Sequence, residues 1–159
     1  DEPGEGSLAS DEALQALRSS LSVDRASFRG NYFHYDEMIV RPHARQDRVP
    51  IWVGGHTRRS LRRAVAFGDG WMPFGLHYAD ITRLLGEVPP PPGFDVVLST
   101  GRALDPGADP AGTLRRLRRL ADAGATRVTC VIAAESVEHY GTQLAALRDL
   151  ADQLEGSTA

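Results

Sequence analysis

Two adjacent glycines, Gly54 and Gly55, form the part of the sequence best suited to bind an anion. They follow Ile51-Trp52-Val53, a short apolar run typical of a buried parallel strand. They precede Thr57, a good N-cap for the helical pattern that ends at Gly68. A helix N-terminus presents unpaired N–H groups and a positive dipole end, and glycine lets a ligand come close to the backbone. This order of residues therefore favours a phosphate site.

Arg58 and Arg59 support that interpretation because they fall in the first turn of the predicted helix. The helix dipole disfavours cations there by a few tenths of a kcal/mol up to about 1. A bound anion would offset this cost. The alternative is an ordinary strand-to-helix turn with solvated arginines, and paired glycines alone are a weak motif.

Composition narrows the function class. The chain has 159 residues, of which 42% are hydrophobic and 25% charged, as in a globular protein with one ordinary core. A net charge of -3 gives no support for a nucleic-acid partner, and no apolar run is long enough for a membrane span. The lone cysteine, Cys130, is expected in the core, and we expect a cytoplasmic location. Because residue 1 is Asp rather than Met, we expect a piece of a longer protein.

Strand and helix signals alternate from residue 50 onward. We expect strands at residues 51–53, 71–74, 96–98 and 128–132, each followed by a helix. Asp109-Pro110 is a clear helix start, with Asp as N-cap and Pro in the first turn. This alternation predicts an α/β fold with a parallel sheet and right-handed crossovers. Four such units could form a small open sheet or half of an eight-fold barrel. The arginines of the later helices lie mostly off the apolar stripes, as on solvated faces.

The N-terminal part is organised differently. Residues 1–9 are predicted to be a disordered tail, and residues 156–159 form a second, C-terminal tail. Ser10 or Asp11 is expected to cap a first helix. Residues 27–35 have the pattern of a β-hairpin on a two-residue Gly30-Asn31 turn. The hairpin could be a lid, although structural packing is the favoured interpretation.

An ordered set of motifs resembles the luciferase-like monooxygenase superfamily, in its branch of coenzyme F420-dependent oxidoreductases. Ser27-Phe28-Arg29-Gly30-Asn31-Tyr32-Phe33 resembles its hairpin, and Pro50-Ile51-Trp52-Val53-Gly54-Gly55 resembles its P-I-W-V-G-G segment. Leu61-Arg62-Arg63-Ala64 and Gly68-Asp69-Gly70-Trp71 resemble the motifs that follow. The proline run after Val88 departs from the family pattern.

The resemblance implies that residues 10–155 form a partial TIM-type (β/α)8 barrel: its C-terminal half, strands five to eight, with the hairpin inserted before strand five. The implied cofactor is coenzyme F420, with FMN as the alternative. The family's cofactor contacts, mainly main-chain contacts to the phosphate, fall on Val53, Gly54, Gly55, His56 and Thr57, and further on Pro73 and Phe74. Most ring-contacting and catalytic residues belong to the other half, so no catalytic residue carries over.

Three functions remain open at this stage. The first is a flavin- or deazaflavin-dependent oxidoreductase or monooxygenase segment that anchors the cofactor phosphate and acts on a small-molecule substrate. The second is a non-catalytic half-barrel or truncated subunit that forms homo-oligomers or pairs with the missing half. The third is an unrelated α/β domain that binds a sugar phosphate. For the first, we expect valine at both Gly54 and Gly55 to abolish cofactor binding with little loss of fold. The five histidines show no metal-ligand spacing. Glu135 could be a catalytic acid, although complementing a helix dipole is the favoured interpretation.

Overall fold

The computed structural model describes residues 5–155, and this part of the chain folds into helices around two β-sheets. The helices are α1 (Glu5–Ser20), α2 (Arg58–Phe67), α3 (Tyr78–Glu87), α4 (Pro110–Asp122) and α5 (Val137–Glu155). The strands are β1 (Arg25–Arg29), β2 (His34–Ile39), β3 (Trp52–Gly54), β4 (Gly70–Met72), β5 (Asp95–Ser99) and β6 (Arg127–Thr129). The predicted tails at residues 1–4 and 156–159 lie outside the described residues.

Helix α1 begins earlier than the sequence predicts, so residues 5–9 are helical and do not belong to a tail. The Ser10 hydroxyl donates to the Gly6 carbonyl oxygen at 2.7 Å, which is a bond inside the helix rather than a cap. Arg63 of α2 donates to the Ser7 hydroxyl at 2.7 Å and pairs with Asp11. Contacts with a helix distant in sequence therefore stabilise this first turn.

The main sheet confirms the predicted parallel α/β fold. Its strands are hydrogen-bonded in the order β3-β4-β5-β6, and each neighbouring pair is parallel. Sequential order is typical of a (β/α) barrel segment, since a doubly wound sheet reverses its order at a switch point. The half-barrel and the strand numbers five to eight stay predictions.

One hydrophobic core lies between the sheet and helices α2, α3 and α4. The strands contribute Val53, Trp71, Val96 and Leu98, and the helices contribute Leu61, Ala64, Ile81, Leu84, Leu120 and Ala123. Trp71 and Leu61 are fully buried. On the other side of the sheet, Trp52 and Met72 remain 41% and 37% exposed. The helices thus cover one face of the sheet and leave the opposite face partly open.

The hairpin β1–β2 forms a separate antiparallel sheet in which Arg29 pairs with His34. The connection is therefore the turn 30–33, in which the Gly30 N–H donates to the Phe33 carbonyl oxygen at 2.9 Å, so residues 31 and 32 lie at its tip and the predicted Gly30-Asn31 turn is wrong by one residue. Glu12 of α1 explains the difference, because its carboxylate accepts hydrogen bonds from the N–H groups of Asn31, Tyr32 and Phe33 at 2.8, 2.7 and 2.7 Å. The hairpin packs on α1, where the Tyr35 hydroxyl donates to the Ala16 carbonyl oxygen at 2.9 Å.

Cys130 is exposed, which corrects its predicted place in the core. It follows β6, which has a hydrogen-bonded neighbour, β5, on one side of the sheet. Val131, the next residue, is 68% exposed. The apolar run at 128–132 thus lies at a sheet edge, where the apolar pattern alone does not guarantee burial.

Candidate functional site

The C-terminal ends of β3, β4 and β5 line one cleft of about 630 Å³. Gly54 comes from the first strand end, residues 73–75 from the second, and residues 99–101 from the third. Parallel strands place their carboxyl ends at the same sheet edge, so the sequence predicts this convergence. The fourth predicted end, residues 133–135, does not line the cleft.

Gly54 leaves room in this cleft that the protein itself does not fill. A Cβ placed there would meet the Met72 carbonyl oxygen and Phe74 Cε1, both at 3.9 Å, which is ordinary contact. Neither packing nor a positive φ therefore requires glycine at this position. The space is the kind that a ligand atom near the backbone would occupy.

Gly55 has a different role because the fold requires it. Its φ is +136°, and an added Cβ would lie 2.4 Å from Ser60 Cβ. A side chain at this position is strained twice, by the backbone conformation and by the clash. The expectation that valine at both glycines spares the fold is therefore wrong for Gly55.

Thr57 is the N-cap of α2, as predicted, and forms a reciprocal capping box with Ser60. Its Oγ1 accepts from the Ser60 N–H at 3.1 Å, and its own N–H donates to Ser60 Oγ at 3.1 Å. The N–H groups of His56, Arg58 and Arg59 have no acceptor among residues 5–155. Within the described residues, the fold therefore leaves three backbone donors of this loop and first helical turn unused.

Of the remaining predicted site residues, two line the cleft and two do not. Pro73 and Phe74 line the cleft, and Phe74 is 61% exposed. His56 is exposed, and its ring meets the Phe74 ring edge-on at 5.3 Å. The Val53 side chain is buried in the helix-facing core, so Val53 can reach a ligand through its main chain alone.

The first-turn arginines are not equivalent. Arg58 Nε lies 3.5 Å from Glu87 Oε2, so a carboxylate of α3 offsets part of its unfavourable position. Arg59 has no carboxylate within 4.0 Å among the described residues. The electrostatic argument for an anion therefore applies to Arg59 more than to Arg58.

Sequence reasoning missed the part of the cleft lining that includes His77, Tyr78 and Arg119. The Arg119 guanidinium carbon lies 5.3 Å from the Tyr78 ring centroid, a cation–π distance. Arg119 is exposed, as predicted for the α4 arginines, but it also lies against this ring and lines the cleft. Its spacing on the helix gave no signal, since the contact depends on α3.

Asp69 directly precedes β4, at the end of the main sheet away from the cleft, and the pKa of its carboxyl is perturbed. Partial burial raises the pKa of its carboxyl, but a hydrogen bond from the Ile51 N–H at 2.8 Å and bonds from Arg18 and Arg48 lower it more. The net pKa lies below the ordinary range of an aspartate. This group ties α1 and the start of β3 to β4 and is structural.

Residues 5–155 contain neither a metal-ion site nor a membrane-spanning helix. The described His, Cys, Asp and Glu residues form no group of three or more that could hold a metal ion. No helix in this part of the chain is long and apolar enough to cross a membrane.

Comparison with a solved structure gives a weak likeness. An F420-dependent secondary alcohol dehydrogenase in complex with an F420-acetone adduct aligns with 94% of this chain and 56% of its own chain, with 16% identity and a TM-score of 0.44.

Sequence comparisons are more informative. Uncharacterised proteins of Mycobacterium bovis and Mycobacterium tuberculosis are 35% identical over 78 residues, or 49% of this chain. The match covers 26% of the length of these curated relatives. The profile of the luciferase-like monooxygenase family matches residues 8–88, from α1 to the end of α3, including Gly54 and Phe74. The chain therefore belongs to the luciferase-like monooxygenase family.

Proposed function

We propose that this chain supplies the cofactor-phosphate site of a flavin- or deazaflavin-dependent oxidoreductase or monooxygenase. Coenzyme F420 is the proposed cofactor, and FMN is the alternative. Family membership over residues 8–88 supports the reaction class. The proposed contacts are the main chain of residues 53–57 and the side chains of Pro73 and Phe74.

The room beside Gly54 is the observation that carries the proposal. Within 3.9 Å an added Cβ would meet the Met72 carbonyl oxygen and Phe74, and the cleft lies beyond. The N–H groups of His56, Arg58 and Arg59 follow Gly54 in the chain at the positive end of the α2 dipole and have no acceptor among residues 5–155. Unpaired backbone donors at a helix N-terminus are a common means of binding phosphate.

The bound cofactor would supply hydride or electron transfer, which protein side chains do not provide. The role of this chain is binding and orientation. The capping box between Thr57 and Ser60 fixes the loop, so its donors do not need to rearrange when a phosphate binds. The Phe74 ring offers an apolar surface beside the polar backbone.

Gly54→Val tests the proposal with FMN, riboflavin, F420 and a phosphosugar as ligands. FMN and riboflavin differ by the phosphate, so we expect the wild-type chain to prefer FMN and the variant to lose that preference. One lost charge-assisted contact corresponds to about tenfold in affinity. Gly86→Ala is the control, because Gly86 lies in α3 with nothing within 4 Å of an added Cβ.

Other binding results would contradict the proposal. If the wild type binds FMN and riboflavin equally, or if Gly54→Val binds F420 and FMN as well as the wild type does, the phosphate assignment fails. If the phosphosugar binds and neither FMN nor F420 does, the third function, a sugar-phosphate domain, replaces it. Urea unfolding should show less than about 0.5 kcal/mol of difference between the variant and the wild type.

A second candidate function is a half-barrel that associates with a partner chain or with itself. The open sheet face favours it, since Trp52 is 41% and Met72 37% exposed, and Val131 at the sheet edge is 68% exposed. Exposed apolar faces and open edges promote association. Light scattering after size-exclusion chromatography should then give a mass above that of one chain. A monomer that unfolds cooperatively would argue against this function.

A further inference from the structure

A second cleft, of about 610 Å³, adjoins the first and is lined by arginines. It lies between residues 102–104, Tyr78 and the first half of α4. Its lining residues include four arginines, namely Arg102, Arg115, Arg116 and Arg119, and we call this space the arginine cleft. Tyr78 and Arg119 line both clefts, so the two spaces are neighbours.

The positive charge of the arginine cleft is not balanced within the described residues. None of its four arginines has a carboxylate oxygen within 4.0 Å in residues 5–155, whereas Arg58, Arg63 and Arg83 each do. Asp109 is the acidic residue in its lining, and its Oδ1 already accepts the Gly112 N–H at 2.8 Å as the N-cap of α4. Arg119 lies three and four residues after Arg116 and Arg115 in α4, and like charges at these spacings repel one another on a helix. An anion in the cleft would remove that repulsion.

Two of the guanidinium groups are held in place before any ligand binds. Arg116 Nη1 donates to the Thr100 carbonyl oxygen at 2.6 Å, and Thr100 is 3% exposed. Arg119 lies against the Tyr78 ring. A guanidinium has five N–H donors, so Arg116 keeps several after its bond to Thr100. Fixed guanidinium forks suit phosphate and carboxylate groups and lose less entropy on binding.

We propose that the arginine cleft is a binding site for the phosphate or carboxylate groups of a small molecule. The anion belongs either to a separate substrate or to a charged extension of the molecule in the neighbouring cleft. The site uses none of residues 53–57, so it does not depend on the proposed cofactor-phosphate site. Arg102 and Arg115, both exposed, would provide the donors that close over the anion.

Residue-resolved NMR titration of the chain with pyrophosphate, and separately with citrate, tests the proposal. We expect saturable shifts of the Arg102, Gly112 and Thr113 amides. The double variant Arg102→Gln/Arg115→Gln should raise the midpoint about tenfold, the loss expected for charge-assisted hydrogen bonds. The control is Arg118→Gln, which removes an exposed α4 arginine that lines neither cleft and should change the midpoint less than about twofold.

Three results would overturn the proposal. They are the absence of saturable shifts at these amides, an equal loss in the Arg118→Gln control, and shifts confined to His56, Arg58 and Arg59. The last result would support the cofactor-phosphate site while excluding this one, so the two proposals fail separately. If pyrophosphate and the cofactor exclude one another in the wild type but not in the double variant, the anion is an extension of the cofactor. If both bind together, it belongs to a separate substrate.

Discussion

Replacing Ser60 by alanine should reveal how the loop at Gly54-Gly55 is joined to the hydrophobic core. Ser60 Oγ accepts the Thr57 N–H at 3.1 Å and the Trp71 indole N–H at 3.3 Å, and it donates to the Thr57 carbonyl oxygen at 2.7 Å. One hydroxyl therefore connects the start of α2, the glycine turn and the largest buried side chain.

The size of the effect follows from these contacts. Trp71 is fully buried, and alanine at residue 60 leaves its indole N–H without a partner at a cost of about 1–3 kcal/mol. Losing half of the capping box costs about a further 1 kcal/mol. We therefore expect Ser60→Ala to lower the free energy of unfolding by about 2–4 kcal/mol.

Urea unfolding measures this loss, with an unchanged m-value expected. Thr57→Ala is the matched control, since it removes the cap acceptor but keeps the Trp71 to Ser60 bond, and it should cost about 1 kcal/mol. A double-mutant cycle with Trp71→Phe isolates the indole contribution, because phenylalanine has no N–H to leave unpaired.

Two results would contradict this role of Ser60. One is a loss for Ser60→Ala no larger than that for Thr57→Ala. The other is strict additivity of Ser60→Ala and Trp71→Phe, which would mean that the 3.3 Å indole contact carries no coupling energy. Either result would remove the link between the glycine turn and the core.

Two further predictions concern carboxylates. The pKa of Asp69 is lower in the folded state than in the unfolded chain, so its stabilisation is present above the unfolded pKa of about 3.9 and is lost as pH falls through the folded value. Stability measured against pH should therefore fall less steeply in acid for Asp69→Asn; equal slopes would contradict this. Glu12→Ala should speed amide hydrogen exchange at residues 31–33, while Gln15→Ala, on the exposed side of α1, should not. Unchanged exchange in the Glu12 variant would show that the turn holds without the carboxylate.

Local signals made much of the main sheet predictable. The Thr57 cap, the Asp109-Pro110 start of α4 and the end of α2 at Gly68 all depend on a few neighbouring residues, and all three are confirmed. Parallel pairing follows from the alternation of strands and helices. That pairing also predicts that the ends of three strands meet at one cleft, because parallel strands end at the same edge.

Contacts between distant elements were not predictable in this way. In α5 the apolar side chains of Tyr140 and Leu144 are 46% and 42% exposed, while the polar side chain of Gln143 is 1% exposed. Gln143 accepts the Gly107 N–H at 2.8 Å and donates to Asp105 Oδ1 at 2.7 Å. Hydrophobic periodicity predicts that a glutamine lies at the surface. The residues next to Gln143 do not indicate that a loop over thirty residues away supplies its hydrogen-bond partners.

The hairpin turn and the arginine cleft both depend on a charged side chain that bonds to the backbone of a distant segment. Glu12 of α1 accepts a hydrogen bond from the hairpin turn, and Arg116 of α4 donates one to the Thr100 carbonyl oxygen. In both cases a charged side chain that looks solvated in the sequence satisfies backbone groups of another segment. Burial of such groups depends on tertiary packing, which a single sequence does not reveal.

The open face of the sheet differs between the amino and carboxyl ends of its strands, and this difference favours a ligand at the carboxyl ends. Trp52 pairs in register with Gly70, which pairs with Asp95. Gly70 has no side chain, and a Cβ there would lie 2.7 Å from Trp52 Cδ1, so the indole can cross over it and donate to Asp95 Oδ2 at 3.0 Å.

Asp95 also pairs with Arg127 of β6 at 2.8 Å, so polar groups at the amino end of this face satisfy one another. The carboxyl end differs, since Gly54, Met72 and Phe74 line an apolar space, and the N–H groups of His56, Arg58 and Arg59, which follow Gly54 in the chain, have no acceptor among residues 5–155. A ligand with an apolar ring and an anionic group matches that end and gains nothing at the other. The distribution of satisfied and unsatisfied groups along the strands thus favours the carboxyl ends as the binding site, independently of family membership.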